Sequence, residues 1–389
     1  MGSVRYDAIV VGLGAMGAAA LAALATRGAR AIGFERFTPP HRFGSSQGGT
    51  RIIREAYFED PRYVPLVQRA YERWAALEAA SGARLLVPTG GLTIGPPDGR
   101  LVTGALTSAR QHGLAHDLLA GSEVARRWPS VLIPVDRVAV HEPRAGVLLA
   151  ARAIQVFLER ARAGGAEVRT GAPIDGWEAD DGGVVVRLGG EVIAARRLVL
   201  AAGSWMPSLA AALAPHLRVE RNVVHWFRPP SPAPPPDLPV LVIEDRADHL
   251  LYAVPSMRAL GDDLEDGVKF ARHHSGDLAA TADAVERTTS PADTAAIAGD
   301  VARYLPALDP TPVRSSVCCY TNSPDGHFVI DRHPAHAAVI LASPCSGHGF
   351  KFAPVLGEAL ADLVLDATPA IDLAPFSLAR LGERPLGSD

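Results

Sequence analysis

The chain has 389 residues, 38 basic against 42 acidic side chains, a net charge of −4 and 48% hydrophobic residues. This core-forming composition excludes disorder as the main state, and the near-neutral balance gives no basic stripe for nucleic acid. The length allows two domains or one interleaved pair, and three cysteines (Cys318, Cys319, Cys345) cannot build a disulfide framework, which points to a reducing compartment.

The N-terminal stretch from Ala8 to Thr26 carries no charge and has the length of a membrane span. Gly12, Gly14 and Gly17 interrupt it, and Asp7 stands where a signal peptide would be positive. It reads better as a buried strand, Tyr6 to Val11, a glycine turn, and an alanine-rich helix from Ala15 to Arg27 ending at Gly28. In that context Gly12-Leu13-Gly14-Ala15-Met16-Gly17 is a dinucleotide fingerprint. Gly12 permits the tight turn, Gly14 lets backbone approach a pyrophosphate, and Gly17 lets the helix pack on the strand. A second strand, Ala31 to Phe34, delivers Glu35, whose carboxylate suits ribose hydroxyls and argues against a 2′-phosphate.

A simple NAD enzyme would continue with further strand–helix units. Here Phe37 to Gly49 is instead a loop rich in Pro, Gly and Ser, leading into Thr50-Arg51-Ile52-Ile53-Arg54. Further buried strands come much later, at Arg197 to Ala202 before Gly203-Ser204-Trp205, and at Ala337 to Ala342. The second is followed by Ser346-Gly347-His348-Gly349-Phe350-Lys351 and a helix from Val355 to about Leu365. A nucleotide fold assembled from both ends of the chain fits a flavoprotein. Only Lys269 and Lys351 are lysines; the other 36 basic residues are arginines, so each lysine is a candidate for chemistry a guanidinium cannot perform.

The run Gly44-Ser45-Ser46-Gln47-Gly48-Gly49-Thr50-Arg51-Ile52-Ile53-Arg54 resembles the monomeric sarcosine oxidase and N-methyltryptophan oxidase family, in the D-amino-acid-oxidase-like group. So do Val317-Cys318 with Tyr320, Ser346 to Phe352, and Asp372-Leu373-Ala374-Pro375-Phe376. The resemblance covers essentially the whole chain. It implies an α/β (α+β) fold, with a Rossmann-like FAD-binding domain from discontinuous segments and a mixed-sheet substrate domain over the flavin. The expected division is residues 1–86, 147–219 and 322–389 for FAD, and 87–146 and 220–321 for substrate. The proline-rich run 229–239 reads as a loop between strands.

The resemblance also implies site roles. Arg54 and Lys351 would grip a substrate carboxylate, Arg54 by its fork and Lys351 as a point charge at the start of a helix. Lys269 would stand beside the flavin to activate oxygen, with His273 four residues on along the same face. Tyr252 and Tyr320 would line the substrate cavity, and Arg51 and His348 complete the catalytic group. Two residues apart on a strand, Cys318 and Tyr320 share a face while Cys319 points away. The resemblance puts the covalent flavin link on Cys318, and Cys345 receives no role. The flavin envelope would comprise Gly12, Gly14, Ala15, Met16, Gly17, Glu35, Arg36, Ser45, Thr50, Arg51, Ile52, Val168, Ala202, Gly203 and Trp205. Cys318 and the segment Gly347, His348, Gly349, Phe350 and Lys351 close it. No metal spacing is present, because the adjacent His273 and His274 would face opposite sides of any strand.

The implied activity is oxidation of N-methyl amino acids by oxygen, in a monomer without membrane or nucleic-acid partners. Two departures bear on the substrate: Ser46 and Gln47 replace histidines, and Gly49 replaces an acid. Pipecolate-type relatives are closer in this stretch, so a cyclic imino acid stays open. Other readings are a flavin dehydrogenase with a protein or quinone acceptor, and a non-catalytic nucleotide-binding protein. With no signal, span or C-terminal Ser-Lys-Leu, a cytoplasmic location is expected.

Overall fold

The structure, a computed structural model, describes residues 6–180, 182–230, 237–261 and 264–382. The proline-rich run 229–239 falls partly outside these residues, as do Asp262 and Asp263 of the acidic run and the terminal Leu386–Asp389.

The Tyr6–Val11 strand is almost wholly buried, and after a three-residue turn the Ala15–Thr26 helix begins. That helix is apolar on every side, as a helix enclosed by other elements must be. Its alanines let neighbours come close. A Cβ on Gly357 would lie 2.6 Å from the carbonyl carbon of Ala19, and one on Gly164 would lie 2.9 Å from the Ala25 methyl. The Ala150–Ala163 and Ala353–Val364 helices therefore pack directly on it, forming one apolar core.

Eight strands form the first sheet. Its parallel centre runs Glu167–Thr170, Ala31–Glu35, Tyr6–Val11, Glu191–Leu200, His336–Ser343. Val10 faces Gly33 on one side and Val199 on the other. Such strands, covered on both faces, read as continuous apolar runs. An antiparallel edge strand, Val329–His333, flanks His336–Ser343. The hairpin Gly176–Asp180 and Gly183–Leu188 pairs with the first half of Glu191–Leu200. This hairpin explains why the strand starts at Glu191 rather than Arg197: the first half is largely exposed and is held by pairing with the hairpin, and Arg196-Arg197 interrupt the apolar run. The last helix begins at Ala353, two residues early, with Pro354 in its first turn where no N–H is needed.

The second sheet has nine strands and is largely antiparallel, with Gly91–Gly95 parallel to Val240–Arg246. Its longest ladder joins Arg218–Phe227 to Arg314–Asn322. A three-stranded sheet of Thr50–Ile53, Gly146–Leu149 and Leu86–Pro88 completes the fold. Carboxyl ends of parallel strands in such sheets open on ligand crevices. Here Val11, Glu35, Leu200 and Ser343 end beside a wall built from the second sheet. Among the described residues no helix is long and apolar enough to cross a membrane.

Candidate active site

A cavity of about 530 Å³ runs from the glycine turn to the second sheet. At the turn Gly12 has φ +87°, and a Cβ there would lie 2.6 Å from the Ala201 carbonyl oxygen. A Cβ on Gly17 would lie 1.8 Å from the Gly12 carbonyl oxygen, so helix and turn can pack only without one. Gly14 caps the helix, and a Cβ there would meet only the Ser46 hydroxyl, at 3.3 Å. The Glu35 carboxylate accepts from Leu13 N–H (2.8 Å) and Phe37 N–H (3.0 Å) and lies 3.5 Å from the His41 ring. Burial pushes its pKa up, but the His41 ring and the two backbone N–H groups outweigh this and hold it below the usual carboxylate value. Arg36 lines the cavity with its guanidinium on Asp283, which also takes the Trp205 indole N–H.

The loop after Phe37 is organised from inside by Arg51. Its guanidinium donates to the carbonyls of Ser45, Gln47 and Thr50, each at 2.6 Å, and of Gly48 at 3.2 Å. From outside, Lys269 Nζ donates to the Thr50 carbonyl (2.7 Å), and the Glu265 carboxylate accepts from Gly49 N–H (2.7 and 2.9 Å). A Cβ on Gly49 would lie 2.4 Å from Glu265 Oε2. A carboxylate from the segment before the Lys269 strand thus stands against position 49. Burial first, then Arg51, lowers the Lys269 pKa to about 7, against opposing pulls from Glu265 and Cys318.

The Val268–His273 and Arg314–Asn322 strands bring Lys269, His273, Cys318 and Tyr320 to one wall, and Tyr252 joins from the neighbouring strand. Cys318 Sγ lies 3.9 Å from the Ser45 carbonyl oxygen. Cys319 packs among Val219, Val285 and Val317, and burial pushes its thiol to about 11. His273 Nδ1 is 2.9 Å from the Tyr320 hydroxyl, and burial holds His273 neutral, with its pKa far below the usual value. Gly347, at φ +81°, closes over this pair: a Cβ would lie 2.6 Å from His273 and 2.8 Å from Tyr320. One expectation is corrected here. His273 and His274 do not face opposite sides; their rings are 4.1 Å apart and both pack on Tyr320. The strand ends at His273, and His274 adopts φ +53°, which folds its ring back. No cluster of metal-ligating side chains occurs among the described residues.

At the far wall Arg54 is buried, with Nη1 on the Ala56 carbonyl (2.9 Å) and Nη2 on both oxygens of Glu59 (2.7 and 2.6 Å). The fork expected to hold a substrate carboxylate holds an internal one. Burial would lower the Arg54 pKa, but Glu59 raises it, so the guanidinium stays charged. The same partner holds Glu59 below its usual value against burial. The Glu142 carboxylate accepts from Glu55 N–H (2.6 Å) and Ala56 N–H (2.5 Å), pinning the turn after Arg54. Lys351, in the short 3-10 turn Phe350–Phe352, lies in the same wall, and burial lowers its pKa to about 7.

All the expected site residues line this cavity except Gly17, which packs the helix on the turn, and Val168, which stands beside Gly33 in the first sheet. Sequence reading missed Glu59, Glu265, Glu142, His41 and Tyr57. These partners arrive from irregular segments or other strands, so no periodicity marks them. The glycine turn, the open helix N-terminus at Gly14 and the ionised Glu35 fit a dinucleotide. The profile of the family described as FAD dependent oxidoreductase matches residues 7–363.

The chain belongs to that family.

A monomeric sarcosine oxidase from Streptomyces avermitilis is 40% identical over 98% of this chain and 100% of its own length. An N-methyl-L-tryptophan oxidase from Salmonella arizonae is 33% identical over 97% of this chain and all of its own. Among solved structures, NikD, an unusual amino acid oxidase of nikkomycin biosynthesis, superposes with a TM-score of 0.84 over 96% of this chain and 98% of its own, at 23% identity. The protein is an FAD-dependent oxidoreductase with a mixed α/β fold of the flavoprotein amino acid oxidases.

Proposed function

We propose that this enzyme oxidises a secondary amino acid, N-methylated or cyclic, with oxygen as the final acceptor. The observation that carries the reading is the pair of buried cations, Arg54 and Lys351, in one wall of the cavity that begins at the glycine turn. Bound FAD supplies a two-electron acceptor for the substrate's C–N bond and passes the electrons to oxygen as hydrogen peroxide. The glycine turn, the Ala15–Thr26 helix N-terminus and Glu35 would hold its pyrophosphate and ribose. A substrate carboxylate would sit on Lys351 and share Arg54 with Glu59. The two cations would lower the pKa of the substrate amine, favouring the neutral form that can be oxidised. The imine product takes up water, giving formaldehyde and a primary amino acid when the group is N-methyl. Lys269 would place a positive charge where oxygen is reduced.

The names of the curated relatives support this substrate class and a monomer. We further propose a thioether from Cys318, which lines the cavity, while Cys319 packs its side chain among Val219, Val285 and Val317. We infer the division into flavin segments 1–86, 147–219 and 322–389, with 87–146 and 220–321 covering the substrate. The test is purified protein with sarcosine, bulkier N-methyl amino acids and pipecolate, following peroxide. Peroxide from at least one is expected; reduction of an artificial dye without peroxide would favour a dehydrogenase.

A further inference from the structure

The reading above leaves Tyr57 without a task, yet it is fully buried between the two cations. Its ring centroid lies 4.5 Å from the Arg54 guanidinium carbon and 5.1 Å from Lys351 Nζ. Its hydroxyl is 2.6 Å from His348 Nδ1 and 3.3 Å from Lys351 Nζ.

The directions of these bonds follow from one fixed end. His348 Nε2 is 3.0 Å from the Gly326 carbonyl oxygen, which can only accept, so Nε2 carries the hydrogen. Burial keeps the ring neutral, with a pKa near 4, so Nδ1 offers a lone pair and Tyr57 must donate to it. With its one proton committed, the phenol can meet Lys351 only as an acceptor. A second Lys351 N–H donates to the His348 carbonyl at 2.8 Å, leaving the third for a ligand in the cavity. The assembly is held in place around its edge. Tyr57 stacks on Tyr63 (4.8 Å), its carbonyl accepts from the Ser108 hydroxyl, and the Trp74 indole donates to the Lys351 carbonyl at 2.8 Å.

We propose that Tyr57 is the positioning residue of the carboxylate site: its ring is the common floor beneath Arg54 and Lys351, and its hydroxyl aims the Lys351 ammonium at the ligand. This rests on the reading that those two cations take the substrate carboxylate. Other titratable groups acting on Lys351 are Arg54, Glu59, His348 and His273. Burial, with Glu59 adding to it, holds the Tyr57 phenol far above its usual pKa, so it stays protonated and the bond directions persist.

The test uses the low lysine count. In FAD-loaded enzyme grown with 13Cε-lysine, only Lys269 and Lys351 give side-chain signals, and Lys351→Met assigns them. Tyr57→Phe keeps the ring and removes the hydroxyl. The Lys351 titration midpoint should fall while that of Lys269 stays, and the affinity for 2-furoate, a simple carboxylate, should drop roughly tenfold by calorimetry, as for one lost hydrogen bond to a charged group. Thermal melting confirms that the variant is folded. A Lys351 midpoint and a furoate affinity both equal to the parent's, in folded Tyr57→Phe, would overturn the proposal. A midpoint that moves while furoate binding survives both Tyr57→Phe and Lys351→Met would overturn instead the carboxylate reading beneath it.

Discussion

In the proposed reaction Lys269 would meet two opposing demands: burial favours the neutral amine, while reduction of oxygen to an anion calls for an ammonium. With a pKa near 7 it stands between them. Lys269→Met should slow flavin reoxidation by orders of magnitude while anaerobic reduction by substrate is largely kept; stopped-flow traces slowed equally in both halves would refute the role. Glu265 pulls the other way. Glu265→Gln keeps an oxygen for Gly49 N–H but drops the charge, so the Lys269 pKa should fall further and the pH at which reoxidation fails should move down. An unmoved pH profile would separate Glu265 from that chemistry. At the opposite wall, Arg54→Ala removes a buried charge-assisted contact, a loss of about 2–5 kcal/mol, so carboxylate inhibitors should weaken far more than uncharged amines. The residues proposed for the chemistry stand out in the sequence for two reasons: lysine is rare in the chain, and Arg54 lies in a block that resembles a family. Their partners do not: the bond between Gly49 and Glu265 spans more than two hundred positions, and neither residue carries a local pattern that announces the other.

Strand alternation carries the next prediction. Cys318 and Tyr320 share the cavity face with Asn222 and Glu220 opposite them in the ladder, while Cys319 pairs with Arg221 on the other face. If a thioether forms, acid-precipitated protein stays yellow and a flavin peptide maps to Cys318. Cys318→Ala should lose the link and Cys319→Ala should keep it, whereas colour released from denatured parent would exclude a bond at this strand. Period-two reasoning works here because the strand is regular from Arg314 to Asn322. It fails two strands over, beyond Arg218–Phe227, where His274 lies past the last paired residue and a left-handed backbone undoes the alternation. Elements with a single strong signal, such as Tyr6–Val11 and Ala31–Glu35, were legible to within a residue. The short Thr50–Ile53 strand owes its structure to a partner distant in sequence, Gly146–Leu149, and the first half of Glu191–Leu200 to the hairpin just before it.

For the whole molecule, buried ionisable groups fix how stability varies with pH. Lys269 and Lys351 release their protons at about 7 in the folded chain but near 10.5 when unfolded. Between those values the unfolded chain holds more protons, so stability rises with pH. His348, at about 4 against 6.5, acts with the same sign between those limits, as do Glu35 and Glu59 below the usual carboxylate value. Tyr57 and Tyr320 keep their protons above pH 10 when folded, which reverses the slope there. Dinucleotide-free protein should therefore be most stable at about pH 9–10 rather than near neutrality. Lys351→Met should flatten the rise above pH 7 by up to tenfold in the folding constant per pH unit. Urea titrations across pH 4–11 measure this directly, and a maximum at pH 6–7 would contradict it.

The alanine-rich helix Ala15–Thr26 has a consequence for how the chain is made. It leaves the ribosome well before one of the two helices that cover it: Ala353–Val364 is translated about 330 residues later, and the adjoining strand His336–Ser343 little sooner. At elongation rates of about 5–20 residues per second the interval is roughly twenty seconds to a minute. For all of that time the nascent chain displays an apolar helix whose alanines have no finished groove to enter. Release of a chain stopped before residue 336 should yield aggregate or chaperone-bound protein rather than a soluble half-enzyme, and nucleotide binding should be acquired only at the end of synthesis, in a single step.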